Sequence, residues 1–194
     1  VYDANNLSAQ PTKLTAFDGA EGDYFGVSVS ATNDKIIVGA NADGDKGAYS
    51  GSVYVYDAND LSAQPTKLTA FDGAEFDQFG RTVAANADKI IVAVEYDDDN
   101  GISSGSVYVY DANDLSAQPT KLTAFDAAAD DAFGSSVAAT DDKIVVGARN
   151  NDDKGRDSGS VYVYDANDLS ATPTKLTAFD GDVTDYFGYS VAVG

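Results

Sequence analysis

The sequence predicts an all-β fold, a β-propeller built from 54-residue four-stranded blades. Three observations lead there: a repeat of fixed length, four strand-like runs in each period, and strands that can be packed on both faces. The run Gly51-Ser52-Val53-Tyr54-Val55-Tyr56-Asp57 returns at 105–111 and 159–165, and the chain opens on its tail, Val1-Tyr2-Asp3. Tyr2, Tyr56, Tyr110 and Tyr164 stand 54 residues apart, as do Phe25, Phe79, Phe133 and Phe187. No insertion breaks the period, so residues 1–194 read as a single array with a partial repeat at each end. A start without Met and an end in mid-repeat suggest a piece of a longer protein.

Within the second period the four runs are Phe79–Ala84, Lys89–Ala93, Ser106–Tyr110 and Thr120–Phe125. β-Branched and aromatic residues fill them, Gly, Asn, Asp and Pro separate them, and no helical spacing occurs. In the first run a Gly follows each Phe, at 26, 80, 134 and 188, where the missing side chain lets innermost strands crowd around an axis. In the third run Val53 and Val55 point one way and Tyr54 and Tyr56 the other. Both faces are thus suited to burial, as in a sheet held between two neighbours, whereas a half-buried sandwich strand would carry polar residues on one face. A solenoid is the competing repeat architecture, but its coils are usually about 20 to 30 residues long. Three full sets of runs, two runs before them and one after make fifteen strands. That number is one short of four blades, so a compact unit of about four blades is expected, closed by pairing residues 1–17 with 187–194.

Twelve basic against thirty-two acidic residues give a formal charge of −20, which repels nucleic acid and anionic membranes. No run reaches the roughly 18 to 20 apolar residues of a spanning helix, so no membrane insertion is expected of this piece. With no His and no Cys, the chain can build neither a Ser-His-Asp triad nor a His- or thiolate-ligated zinc site. Paired carboxylates are the remaining catalytic chemistry, but each acidic cluster recurs in every period, whereas an acid and a base need different environments. The chain therefore reads as no enzyme.

The run Asp23-Tyr24-Phe25-Gly26-Val27, followed by Lys35-Ile36-Ile37-Val38-Gly39-Ala40 and then by Gly51–Tyr56, resembles the FG-GAP repeat. That family includes the heads of integrin α-subunits and many microbial and algal surface proteins, and the microbial branch is the nearer likeness. The resemblance covers the whole chain and implies a propeller blade used in cell-surface contact. Two positions depart from the pattern. Asn41, Glu95 and Arg149 replace Pro in the "GAP" element, and the loop at 31–34 is too short for the Asp-rich calcium loop of integrin-like repeats.

A different loop supplies candidate metal ligands. Between the second and third runs the periods read Asp43-Gly44-Asp45-Lys46-Gly47, Asp97-Asp98-Asp99-Asn100-Gly101 and Asn151-Asp152-Asp153-Lys154-Gly155. Alternate oxygen ligands on a loop that turns at Gly can converge on Ca2+, which takes six to eight oxygens at about 2.3–2.6 Å. The candidate ligands are Asp43 and Asp45, Asp97 and Asp99, and Asn151 and Asp153, the middle loop carrying the most charge. Turn chemistry alone also selects Asp, Asn and Gly here. Asp18, Asp72, Asp126 and Asp180, with Asp23, Asp77, Asp131 and Asp185, flank another turn, where they read as short carboxylates capping backbone N–H groups ahead of the alternative, a ring of carboxylates that attracts cations. The strand tyrosines could form an aromatic platform for sugars but read first as packing between blades, and Lys13, Lys67, Lys121 and Lys175 read as solvated or outer-strand residues that discourage edge pairing.

The expected function is a non-catalytic extracellular or cell-surface interaction module that contacts a protein or glycan ligand, in adhesion or matrix binding. The alternative is a structural repeat unit of an extracellular fibre or appendage, working by self-association.

Overall fold

A computed structural model describes residues Val1 to Gly194. Twelve strands form three four-stranded antiparallel sheets, and there is no helix. The first sheet holds β1 (Val29–Ala31), β2 (Lys35–Ala40), β3 (Ser52–Asp57) and β4 (Thr66–Leu68). The second holds β5 (Thr82–Ala85), β6 (Lys89–Val94), β7 (Ser106–Asp111) and β8 (Thr120–Leu122). The third holds β9 (Phe133–Ala139), β10 (Lys143–Ala148), β11 (Ser160–Asp165) and β12 (Thr174–Leu176). Each sheet is a simple meander in chain order, its first two strands joined by a short turn such as 32–34 and the others by longer Asp- and Asn-containing loops. The central pairing keeps one register throughout: Ile37 faces Val55, Ile91 faces Val109 and Val145 faces Val163.

The two-faced strands divide as their alternation dictates. In β7 the odd residues Val107 and Val109 pack toward the third sheet, with Phe133, Val146 and Tyr162. Tyr108 and Tyr110 pack toward the first, with Val53, Val55, Leu68 and Phe79. The first strands of the sheets lie beside one another, β5 between β1 and β9. Burial of these side chains on both faces of the middle sheet is the main stabilising term, at about 25 cal/mol for each Å² of apolar surface removed from water.

The end segments differ from expectation. Residues 1–17 and 187–194 form no strand, so the count is twelve rather than fifteen, and there are three sheets rather than about four. No backbone hydrogen bond joins the two segments, and the expected closure by their pairing is not formed. The reason is local. Val1 and Thr12 exchange two backbone hydrogen bonds, at 2.7 and 2.9 Å, in the register that pairs Val55 with Thr66. This pair is not extended into a ladder.

Candidate functional site

Every sheet is entered through a turn that ends in Phe-Gly, and buried polar residues including Asp43, Asp77, Asp97 and Asp131 lie around these entries. At the second sheet Tyr108 of β7, Lys121 of β8, Asp97 and Asp99 of the β6–β7 loop, and Asp72 of the entry turn meet at one point. Lys121 Nζ lies 2.9 Å from Asp72, 2.8 Å from Asp97 and 2.6 Å from Asp99. Tyr108 Oη donates to the other oxygen of Asp72. The first sheet repeats the arrangement: Lys67 lies 2.8, 3.0 and 2.6 Å from Asp18, Asp43 and Asp45. Tyr54 Oη donates to Asp18 at 2.7 Å. At the third, Lys175 meets Asp126 at 2.6 Å and Asp153 at 2.5 Å, and Asn151 stands where the other sheets have Asp43 and Asp97.

The candidate residues that the sequence pairs in each loop do lie together, and they face a lysine that the sequence reading leaves in solvent. Asp43 with Asp45, Asp97 with Asp99 and Asn151 with Asp153 are each brought together, and a turn holds each pair. The Oδ1 atoms of Asp43, Asp97 and Asn151 accept from the backbone N–H two residues on, at 3.2, 3.0 and 3.4 Å. The loop carboxylates that remain face the lysine of the outermost strand. The reading of Lys67, Lys121 and Lys175 as solvated residues is therefore corrected: their side chains are only 11%, 13% and 12% exposed. The lysine lies over 20 residues downstream of its loop, and only the β3–β4, β7–β8 and β11–β12 pairings place it there. The signal that could have found it is the common 54-residue period of Lys and Asp. A calcium ion does not fit these loops as they stand, because an ammonium group holds the point on which their carboxylates converge.

Charge and burial reinforce one another at these entries. Burial opposes ionisation of Asp72, but hydrogen bonds from Tyr108 and Lys121 outweigh it and hold the carboxyl below its ordinary range. Burial likewise opposes the charge on Lys121, and the carboxylates of Asp97, Asp99 and Asp72 raise it above the ordinary lysine range. The Tyr108 phenol is pushed up, first by burial and then by its bond to Asp72. Asp77, on the same entry turn, accepts from the Ala74 N–H at 2.7 Å as a capping residue should, and burial lifts it to about 6. Edge-on contacts with Phe71 and Phe79, both at a centroid distance of 5.6 Å, keep the Tyr108 ring in place.

Two places break the repeat. Glu95, 1% exposed, is ion-paired with Arg81 Nε at 2.8 Å and with Arg149 of the third sheet, where the first sheet carries Asn41 bonded to Gln78 at 2.8 Å. At the junction of the first two sheets, Tyr49 and Phe76 stack in the open, 47% and 58% exposed, with ring centroids 5.9 Å apart. Both hold positive φ, 56° and 72°. Backbone bonds fix them there, from Phe76 N to Ala48 O at 2.9 Å and from Gln78 N to Tyr49 O at 3.0 Å. The same conformation recurs at Ser103 and Asp130 and at Asp157 and Thr184, so the backbone belongs to the fold and only the aromatic occupants are particular.

Two surface concavities are also features of the repeat. One is lined by Lys89, Tyr110 and Leu169 and the other by Lys35, Tyr56 and Leu115, each residue 54 from its counterpart. The family model described as "FG-GAP repeat" matches residues 9–56, 63–110 and 117–164, well over half of the chain. The second and third matched stretches start ahead of the last strands of the first and second sheets, so Lys67 and Lys121 each lie one matched stretch beyond their carboxylates, while Lys175 lies past the last matched residue. No curated protein matches the chain.

Proposed function

Since the chain belongs to the FG-GAP repeat family, we propose that it works as a non-catalytic interaction module outside the cell, contacting a protein or glycan ligand at the cell surface. The observation that carries this reading is the Tyr49–Phe76 stack. Two large aromatic side chains are held in water on a backbone conformation disfavoured for bulky residues, at positions where the fold accepts Ser, Asp and Thr elsewhere. Exposed aromatic rings present a rigid apolar face with little entropy to lose on binding, which suits a sugar ring or an apolar side chain.

Support for the absence of catalysis is of another kind. The sequence lacks His and Cys, and its perturbed carboxylates are engaged by Tyr, Lys and backbone groups of the fold. Screening the chain against immobilised glycans and matrix proteins tests the proposal, beside a variant carrying Tyr49→Ser and Phe76→Asp. These are the residues of the next junction, so the variant should melt with the wild type while losing the captured ligand. Equal capture by both would remove the stack from the reading.

A second reading, a unit of a self-associating fibre, has its own observation. Leu176 is 44% exposed, whereas Leu68 and Leu122 at the same place in the first two sheets are 6% exposed. The third sheet thus presents the face that its predecessors bury against their successors. Sedimentation over a range of concentrations tests it, a single monomeric species at all of them excluding association through this face.

A further inference from the structure

We propose that the ammonium groups of Lys67, Lys121 and Lys175 stand in for a structural divalent cation at the three sheet entries, so that the array holds these turns without metal. The corollary is that removing such a lysine leaves a carboxylate cage able to take calcium. The inference is independent of any ligand the array recognises.

Geometry carries the argument. At the first two entries three carboxylates, one from the entry turn and two from the loop, converge on a single Nζ at 2.6–3.0 Å. An ammonium has three N–H donors and no acceptor, so three carboxylates saturate it. The distances exceed those of calcium to oxygen by only a few tenths of an ångström. Asp43 and Asp97 are buried, where a charge left unpaired is costly, and the same sheet supplies a partner cation from its last strand. At the third entry the composition changes in the sense this role requires. Asn151 replaces one carboxylate, and Lys175 is ion-paired with two instead of three.

A covalently attached cation differs from a metal in its thermodynamics. It cannot be chelated or diluted away, and its effective concentration is set by the β-pairing that places it. Stability of the entries should therefore be independent of calcium, which distinguishes this role from that of a lysine lying beside a site some ion fills.

The test uses the whole chain, stripped with a chelator and melted with and without calcium, with calcium binding followed by calorimetric titration. The wild type should melt at the same temperature in both and take up no calcium in stoichiometric amount. Lys121→Gln should melt roughly 4–8 °C lower in chelator, recover most of that loss when calcium is added, and bind one calcium that the wild type does not. Lys13→Gln, which alters the exposed lysine of the same motif, should change nothing. Wild-type melting that rises with calcium, together with uptake at the entries, would overturn the proposal. So would a Lys121→Gln chain that is destabilised, or unfolded, to the same degree with and without calcium.

Discussion

Tyr162 Oη donates a hydrogen bond of 2.7 Å to Asp126 Oδ1, a residue 36 positions earlier on the turn by which the chain enters the third sheet. Its counterparts join Tyr54 to Asp18 and Tyr108 to Asp72. The ring of Tyr162 is fully buried between Phe125 and Phe133. The tyrosine therefore fills the core while its hydroxyl fixes the turn.

Replacing Tyr162 by Phe keeps the ring and removes one donor from an ionised carboxylate. A hydrogen bond to a charged group contributes about 1.5–3 kcal/mol. Lys175 still pairs with the other Asp126 oxygen, so the lower part of that range applies. Chemical denaturation should show a loss of about 1.5–2 kcal/mol for Tyr162→Phe, with the slope of the transition unchanged. A loss below a few tenths would mean that the turn is held by packing alone.

The Phe-Gly glycines offer a comparison within one molecule. A Cβ on Gly80 would lie 2.6 Å from Val53 Cγ2 and 2.8 Å from Ser52 O, whereas a Cβ on Gly26 would meet nothing within 4 Å. Both residues have positive φ, 86° and 92°. Gly26→Ala should therefore cost only the backbone term, about 1–2 kcal/mol, and Gly80→Ala roughly 3 kcal/mol or more through overpacking against the preceding sheet. Melting curves of the two variants check the order, and equal losses would remove close packing from the account.

Much of this architecture was legible in the sequence. The 54-residue period, the four strands and the division of Val and Tyr between two faces follow from local spacing, and all reappear in the three sheets. What escaped was non-local. The partner of the loop carboxylates is Lys67 or its equivalents, and a lone Lys in a short outer strand looks like any solvated lysine until strand pairing sets it over the loop. The number of sheets escaped for a related reason. Residues 1–17 have strand-like sequence, but a strand exists only where a neighbour accepts its hydrogen bonds.

Glu95 tests how the second and third sheets recognise one another. It bridges Arg81 of its own sheet and Arg149 of the next, whereas Asn41 fills its place in the first sheet. Removing one member of a buried ion pair strands the other charges, at a typical cost of about 3–5 kcal/mol. Both arginines are partly exposed, and water offsets part of that. Glu95→Ala should lose about 2–3 kcal/mol. A triple variant that also carries Arg81→Val and Arg149→Asn, the residues of the first sheet, should regain most of it. Denaturant midpoints of the two variants check this, and a triple variant no better than the single one would locate the loss in packing instead of charge.

The carboxylates of the entry turns make opposite contributions to acid stability. Asp18, Asp72 and Asp126 are held below the ordinary carboxyl value of 3.8, the bonds from their Lys and Tyr partners outweighing burial. A depressed value means that the folded state binds the proton less tightly than the unfolded chain. Their stabilisation is complete above the unfolded value and is lost as pH falls through the folded-state values below it. Asp77 has the reverse shift: burial raises it to about 6, and burial raises Asp131 as well. For these two the folded state binds the proton more tightly, so stability grows as pH falls from neutrality through about 6 and the gain levels off near the unfolded value. Lys67 and Lys121 are raised, so their contribution is intact below the ordinary lysine value of 10.5 and is constant across this range. The sum predicts greatest stability between about pH 4 and pH 6, higher than at neutrality by roughly 1–3 kcal/mol, with a steep loss on further acidification. Asp77→Asn keeps the oxygen that accepts from Ala74 but cannot titrate. It should flatten the neutral-to-acid rise and leave the acid loss in place. Urea midpoints near pH 7, pH 5 and pH 3 for both proteins decide the matter. A wild-type midpoint that falls steadily across all three, or an Asp77→Asn profile parallel to it, would contradict the raised Asp77.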